Sequence, residues 1–145
     1  MVIHKVMKEK NPLEYSPLVL AYIGDAVYEE YTRERILSQN PDMPAHKLHI
    51  ENVKYVKAHA QSRSAAALED MLTEQEAAVF KRGRNAKSAT SPKNAEVLEY
   101  RRATGLEALF GYLRLFGQAE RLIELMRVAF DNAREEFSAE RNDEK

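Results

Sequence analysis

The chain of 145 residues contains no cysteine. That excludes disulfides and thiolate metal sites, and it fits a reducing compartment. Long apolar runs are also missing. Nothing approaches the ~18 consecutive apolar residues of a membrane span, and Met1 to Lys10 carries no apolar core of signal-peptide length. The expectation is a soluble, cytoplasmic protein with no membrane partner. Strand signals are scarce: there is no sustained apolar/polar alternation and little β-branched clustering. There is no glycine-rich phosphate loop, since Gly83 stands alone, and no Ser-His-Asp or Cys-His arrangement can be assembled. His46 and His49 lie three apart, but without a Glu-x-x-His companion they do not suggest a di-iron bundle. Net charge is close to zero, at −1, which by itself argues against a nucleic-acid binder.

The charge is, however, unevenly distributed. Lys81 to Arg102 carries +5, whereas Asp131 to Lys145 carries −3. A basic central segment and an acidic end are thus hidden in the total. Apolar content of 44% in a chain of this length is enough for one domain with a real core. The reading is a single domain over 1–145, with frayed tails at 1–12 and 138–145.

Helix signals dominate. Ser16-Pro17 is an N-cap followed by proline at the first helical position, opening a helix to about Ser38 that stops before Asn40-Pro41. A second helical stretch starts at Pro44 and runs through Lys47 to Lys57. Residues 57–71 are alanine-rich. Thr73-Glu-Gln-Glu76 is a capping box for a helix to about Lys81. Arg82 to Pro92 then reads as a loop, rich in small, polar and basic residues. Helical character returns near Asn94, with a break near Arg102–Thr104, and continues to about Phe116, where Gly117 fits a C-cap. A last helix spans about Gln118–Phe137, with Leu122, Leu125, Met126, Ala129 and Phe130 on one face.

Two segments stand out chemically. In Leu18-Val-Leu-Ala-Tyr-Ile-Gly-Asp-Ala-Val-Tyr28, ten of eleven residues are apolar or glycine and the eleventh is Asp25. An unpaired carboxylate is costly to bury. Asp25 is therefore either a structural acid satisfied by a cap or an arginine, or a metal ligand or general base, and the residues alone leave both open. Gly24 beside it weakens the helix and clears space for another helix or a ligand. Glu29, one turn on, shares the face of Asp25 and either joins the site or is solvated. The second segment, Gly105-Leu-Glu-Ala-Leu-Phe-Gly-Tyr112, has Glu107 as its only acid. The loop from Arg82 carries Arg84, Asn85, Lys87, Ser88 and Thr90, donors that suit phosphate oxygens and 2′-hydroxyls. Its bland alternative is a solvated basic loop.

Tyr22-Ile-Gly-Asp-Ala-Val-Tyr-Glu29 resembles the signature of ribonuclease III endonuclease domains, and Thr104-Gly-Leu-Glu-Ala-Leu-Phe-Gly111 resembles the second signature. Lys81-Arg-Gly-Arg-Asn-Ala-Lys-Ser88 and Ser91-Pro-Lys-Asn94, which lie between them, resemble one branch, Mini-ribonuclease III, which lacks a double-stranded-RNA-binding domain. The likeness spans about residues 16–130. It implies an all-α, ribonuclease III endonuclease-domain-like helical bundle acting as a homodimer. It further implies Mg²⁺-dependent hydrolysis of double-stranded RNA to 5′-phosphate and 3′-hydroxyl ends, and maturation of the 5′ and 3′ ends of 23S ribosomal RNA precursor, with a ribosomal protein as a candidate helper.

By position, the resemblance makes Asp25 and Glu107 metal-binding and catalytic. It makes Arg82, Arg84, Asn85, Lys87, Ser88, Lys93 and Asn94 RNA-binding, with Lys47 to Arg63 flanking the site, and Tyr22 a dimer residue. Larger relatives have acids where this chain has Ala21 and Thr104. Those two departures keep an alternative in play: a non-catalytic double-stranded-RNA-binding protein that retains the fold. A helical interaction protein with a structural Asp25 would not explain the basic segment.

Overall fold

The structure, a computed structural model, describes residues 10–86 and 95–143, with side chains from 96 onward in the second stretch. Among these, six α-helices and no strand appear: α1 (Pro17–Gln39), α2 (Ala45–Val56), α3 (Ala58–Leu68), α4 (Glu74–Arg84), α5 (Ala95–Leu115) and α6 (Ala119–Asp143). The all-α expectation holds. Ser16 Oγ accepts the Val19 N–H at 3.2 Å, and Asn40 caps the far end of α1. The Thr73 capping box is complete: Thr73 Oγ1 accepts the Glu76 N–H, and Glu76 Oε1 accepts the Thr73 N–H. Gly117, at φ 75°, closes α5 in a Schellman turn, with Gln118 N–H donating to Leu113 O and Gly117 N–H to Arg114 O.

Four boundaries differ from the sequence reading. Helix α4 continues through Arg84, so the loop does not begin at Arg82. Helix α5 has no break at 102–104: it runs on through Thr104, whose hydroxyl turns back to the Tyr100 carbonyl instead of capping a new helix. Helix α6 extends to Asp143, six residues beyond Phe137, so most of the expected C-terminal tail is helical. At the other end, Pro12–Glu14 forms a 3-10 turn capped by Asn11, with Pro12 buried. Residues 1–9 and the segment 87–94 lie outside the described residues, as do Lys87, Ser88, Lys93 and Asn94 with them.

Helix α5 is the axis of the bundle. Ala103, Leu106, Ala108, Leu109, Phe110, Tyr112 and Leu113 are all buried. A helical segment that is apolar nearly all round, as 103–113 is, must be enclosed on most sides, and α1, α3 and α4 pack most extensively against α5. Helix α6 shows the opposite pattern, with one buried stripe through Leu122, Leu125, Met126, Ala129, Phe130 and Ala133 and a polar outer face.

The α1–α5 crossing fixes the site. A Cβ at Gly24 would lie 1.7 Å from the Glu107 carbonyl oxygen, and one at Gly111 would lie 1.9 Å from the Leu20 carbonyl oxygen. The two backbones touch, and neither can retreat without dislocating its helix. Glycine normally costs about 0.8–1 kcal/mol against alanine in a helix interior. Here it lets the α1 and α5 backbones touch at the residues that flank the two acids. Farther along, a Cβ at Gly83 would meet Ala108 Cβ at 2.7 Å, which holds the basic end of α4 against α5 at the level of Glu107.

Candidate active site

Asp25 projects from α1 and is exposed, whereas Glu107, on α5, is half-buried. The sequence reading had posed the burial problem for Asp25. The structure transfers it to Glu107, because α1 packs through Gly24 and presents the next residue outward. The two carboxyl groups are nonetheless in hydrogen-bond contact. Burial above all, then the hydrogen bond and negative charge of Asp25, push the Glu107 carboxyl up to about 8. Two carboxylates this close cannot both ionise without help, so one holds a proton near neutral pH.

Two further side chains act on Glu107. Gln61, from α3, hydrogen-bonds it and pulls its pKa down, and the charge of Glu29 pushes it up. Gln61 is buried. Its Nε2 donates to the Val56 carbonyl at 2.8 Å, while its Oε1 has no hydrogen-bond partner among the described residues. Glu29 accepts from Asn52 Nδ2 at 2.7 Å and from Arg33 Nε at 3.4 Å, both on Oε2. Asn52 is in turn oriented by Thr32, whose hydroxyl donates to Asn52 Oδ1 at 2.6 Å.

Sequence reasoning missed Gln61 and Asn52, though each left a trace. Gln61 shares a helix face with the buried Ala65 and Leu68, and Asn52 lies between Leu48 and Tyr55, so both are polar residues in apolar stripes. At the other two positions singled out, Ala21 is buried and Thr104 commits its hydroxyl to Tyr100, so neither adds a donor. His46, His49 and His59 are exposed. No group of three or more His, Asp or Glu side chains is close enough to hold a metal ion among the described residues. The donor set is thus two touching carboxylates with the Gln61 amide beside them, its Oε1 unpartnered among the described residues. An all-oxygen set suits a hard divalent cation that keeps part of its water, such as Mg²⁺.

Arg82 and Asn85 are exposed and Arg84 half-buried at the C-terminal end of α4. Arg82 reaches the Tyr15 carbonyl at 3.5 Å, and Arg84 Nε donates to Asn85 Oδ1 at 3.4 Å. Three cations in a last helical turn also complement the helix dipole. Along α2 and α3, Lys54 and Arg63 pair with Glu51 and Glu136, while Lys47 and Lys57 are exposed. Tyr22 is 77% exposed on the outer face of α1 that also carries Leu18 and Asp25.

Comparison with known proteins agrees with this geometry. The family description "Ribonuclease III domain" matches residues 18–118. The chain is 49% identical to the Mini-ribonuclease 3 of Thermoanaerobacter sp. (strain X514) over 125 residues, covering 86% of this chain and 87% of that one. It is 50% identical to the Mini-ribonuclease 3 of Clostridium tetani over 118 residues, 81% and 78% of the two chains. A crystal structure of a protein from Fusobacterium nucleatum superposes with a TM-score of 0.72 at 30% identity, over 81% of this chain and 93% of that one. Matches of this extent, with the two signature acids in contact, show that the chain belongs to the ribonuclease III family, in its Mini-ribonuclease III branch, and is an endoribonuclease.

Proposed function

We propose that this protein hydrolyses double-stranded RNA with Mg²⁺ as cofactor, using Asp25 and Glu107 as the catalytic and metal-holding pair. The observation that carries the reading is the contact between those two carboxyls, pressed together by the Gly24–Gly111 crossing. When bound there, the cation would lower the pKa of a water and offset charge growing on the phosphodiester. The chain's own part is to hold the two carboxyls in one place, to give up the proton that Glu107 carries near neutral pH, and to present the duplex. Hydrolysis by water leaves a 5′-phosphate and a 3′-hydroxyl.

Arg82, Arg84 and Asn85, with Lys87, Ser88, Lys93 and Asn94 beyond them, contact the RNA backbone. The Gly83–Ala108 contact supports this by setting the end of α4 level with Glu107. A homodimer is supported by the outer face of α1, where Leu18 and Val19 are 38% and 45% exposed beside Tyr22. Three large apolar side chains turned outward on one helix suit a second copy of the same chain. Following the resemblance of its motifs, the RNA is 23S ribosomal RNA precursor, matured at both ends in the cytoplasm.

Incubation with a perfect RNA duplex, with and without Mg²⁺, tests the reading. Metal-dependent cleavage that disappears in Asp25→Asn, with duplex binding retained, is the expected result. Duplex binding without cleavage in the unaltered protein would instead favour the non-catalytic alternative.

A further inference from the structure

The acid pair does not stand alone at the helix crossing. Around it lie two side chains that the catalytic reading leaves unused, each held by its own hydrogen bond. Glu29 is fixed by Asn52, and Asn52 is fixed by Thr32. Asn52 is 2% exposed and Thr32 is 0% exposed. The Glu29 carboxylate settles the orientation of the amide, because it can only accept, so Nδ2 faces it and Oδ1 is left to the Thr32 hydroxyl, which also lies 3.1 Å from the Glu29 carbonyl oxygen. Both hydrogen bonds that Glu29 receives among the described residues fall on Oε2, so Oε1 carries none from them. Gln61 is likewise 2% exposed, anchored through Nε2 on the last carbonyl of α2; its amide reaches Glu107, and its Oε1 has no partner among the described residues.

A buried, unpaired amide oxygen costs about 1–3 kcal/mol. An apolar residue on α3 could fill the same volume without that cost. The atom therefore asks for a donor, and the neighbouring acid pair is where one would arrive. A divalent cation held by only two carboxylates keeps several waters, and the hydrogens of those waters need acceptors. Glu29 is not close enough to join Asp25 and Glu107 as a direct third ligand, but one helical turn from Asp25 is within reach through a water.

We infer that Gln61 and Glu29 are positioning residues that form an outer ring of acceptors around the Asp25–Glu107 pair, binding the cation's water through Gln61 Oε1 and Glu29 Oε1. The Thr32–Asn52 contact is the strut that aims Glu29. This rests on the cation-binding reading of the pair.

The test is the rise in melting temperature of the whole protein on titration with Mg²⁺, without RNA, for the unaltered chain and for Asp25→Asn, Gln61→Leu and Glu29→Gln. The expected result is that Asp25→Asn removes the rise. Gln61→Leu and Glu29→Gln keep it but need about tenfold more Mg²⁺ for half of it, the scale of losing one outer partner of a metal site. Metal-free Gln61→Leu should melt at or above the temperature of the unaltered chain, because the orphaned oxygen is gone; a purely structural Gln61 would lower it. If Gln61→Leu fails to fold, Gln61→Met takes its place in the same titration. A rise lost in Asp25→Asn but unchanged in either outer variant overturns the ring while leaving the acid pair intact. No rise in the unaltered protein overturns both.

Discussion

Two glutamates packed inside this bundle have opposite surroundings. Glu76 opens α4, where its carboxyl closes the capping box and accepts two hydrogen bonds from Arg121, at 2.8 and 2.9 Å. The Arg121 hydrogen bonds, ahead of the opposing effect of burial, hold Glu76 below the usual carboxylate range. Arg121 also donates to the Met71 carbonyl and to Glu124, which ties α6 to the start of α4. Glu107 pairs with no cation among the described residues. It faces another acid, and its carboxyl is pushed up to about 8. The first arrangement satisfies a charge to hold helices together. The second leaves a charge frustrated, which a fold keeps where it serves chemistry.

Separating the Glu76 pair should have the largest effect on stability. Arg121→Ala leaves a buried carboxylate without its partner, and about 3–5 kcal/mol should be lost in denaturant unfolding. The rate of RNA cleavage per folded molecule should stay the same. A fall in that rate equal to the one caused by Asp25→Asn would erase the distinction between the two glutamates.

Gly24→Ala should act on both sides of the comparison. The added methyl meets a backbone carbonyl at 1.7 Å, so α1 and α5 must part. Overpacking of this kind costs about 1–3 kcal/mol, against the gain of under 1 kcal/mol that alanine brings to an ordinary helix position. Unlike Arg121→Ala, it should also lower cleavage, because the two acids separate. Wild-type turnover in Gly24→Ala would mean that the crossing does not set the site.

The smallest effect expected is on the pH dependence of stability, and its sign differs between the two residues. Glu107 binds its proton more tightly folded than unfolded, so in metal-free protein its contribution falls as pH rises from its ordinary value of 4.5 toward about 8. Glu76 binds its proton less tightly folded, so its contribution is present above 4.5 and is lost as pH falls through its lowered value. Chemical denaturation between pH 3 and 9 should therefore show Glu107→Gln flattening the alkaline limb and Glu76→Gln flattening the acid limb. The same limb affected in both variants would contradict the assignment.

The Glu76 region was more legible in sequence than the Glu107 region, for a physical reason. A capping box is local: Thr73 and Glu76 are three residues apart, and the motif needs nothing from the rest of the fold. The ends of α1 and the apolar stripe of α6 were readable on the same terms. The Asp25–Glu107 contact joins residues 82 positions apart, and only the family resemblance paired them. Gly24 suggested a close approach but not its partner, Gly111. Gly83 falls in the stretch that reads as a loop, yet its role is packing: the missing side chain lets α4 lie on Ala108, and the helix continues through it to Arg84. Gln61 and Asn52 were overlooked because a buried amide adds no periodicity, and Gln61 sits in a stretch whose alanines dominate the reading.

Single-turnover cleavage of an RNA duplex in Mg²⁺ by Glu107→Gln and Glu76→Gln, each measured below its own melting temperature, tests the central claim most directly. Glu107→Gln should fold at least as stably as the unaltered metal-free chain at neutral pH, yet lose about 10³-fold in rate, the scale of removing a group that stabilises the transition state. Glu76→Gln should melt earlier and cleave at the unaltered rate. Cleavage by Glu107→Gln within a few-fold of the unaltered enzyme would contradict the claim that this frustrated acid, held against Asp25 by the helix crossing, is where the RNA is cut.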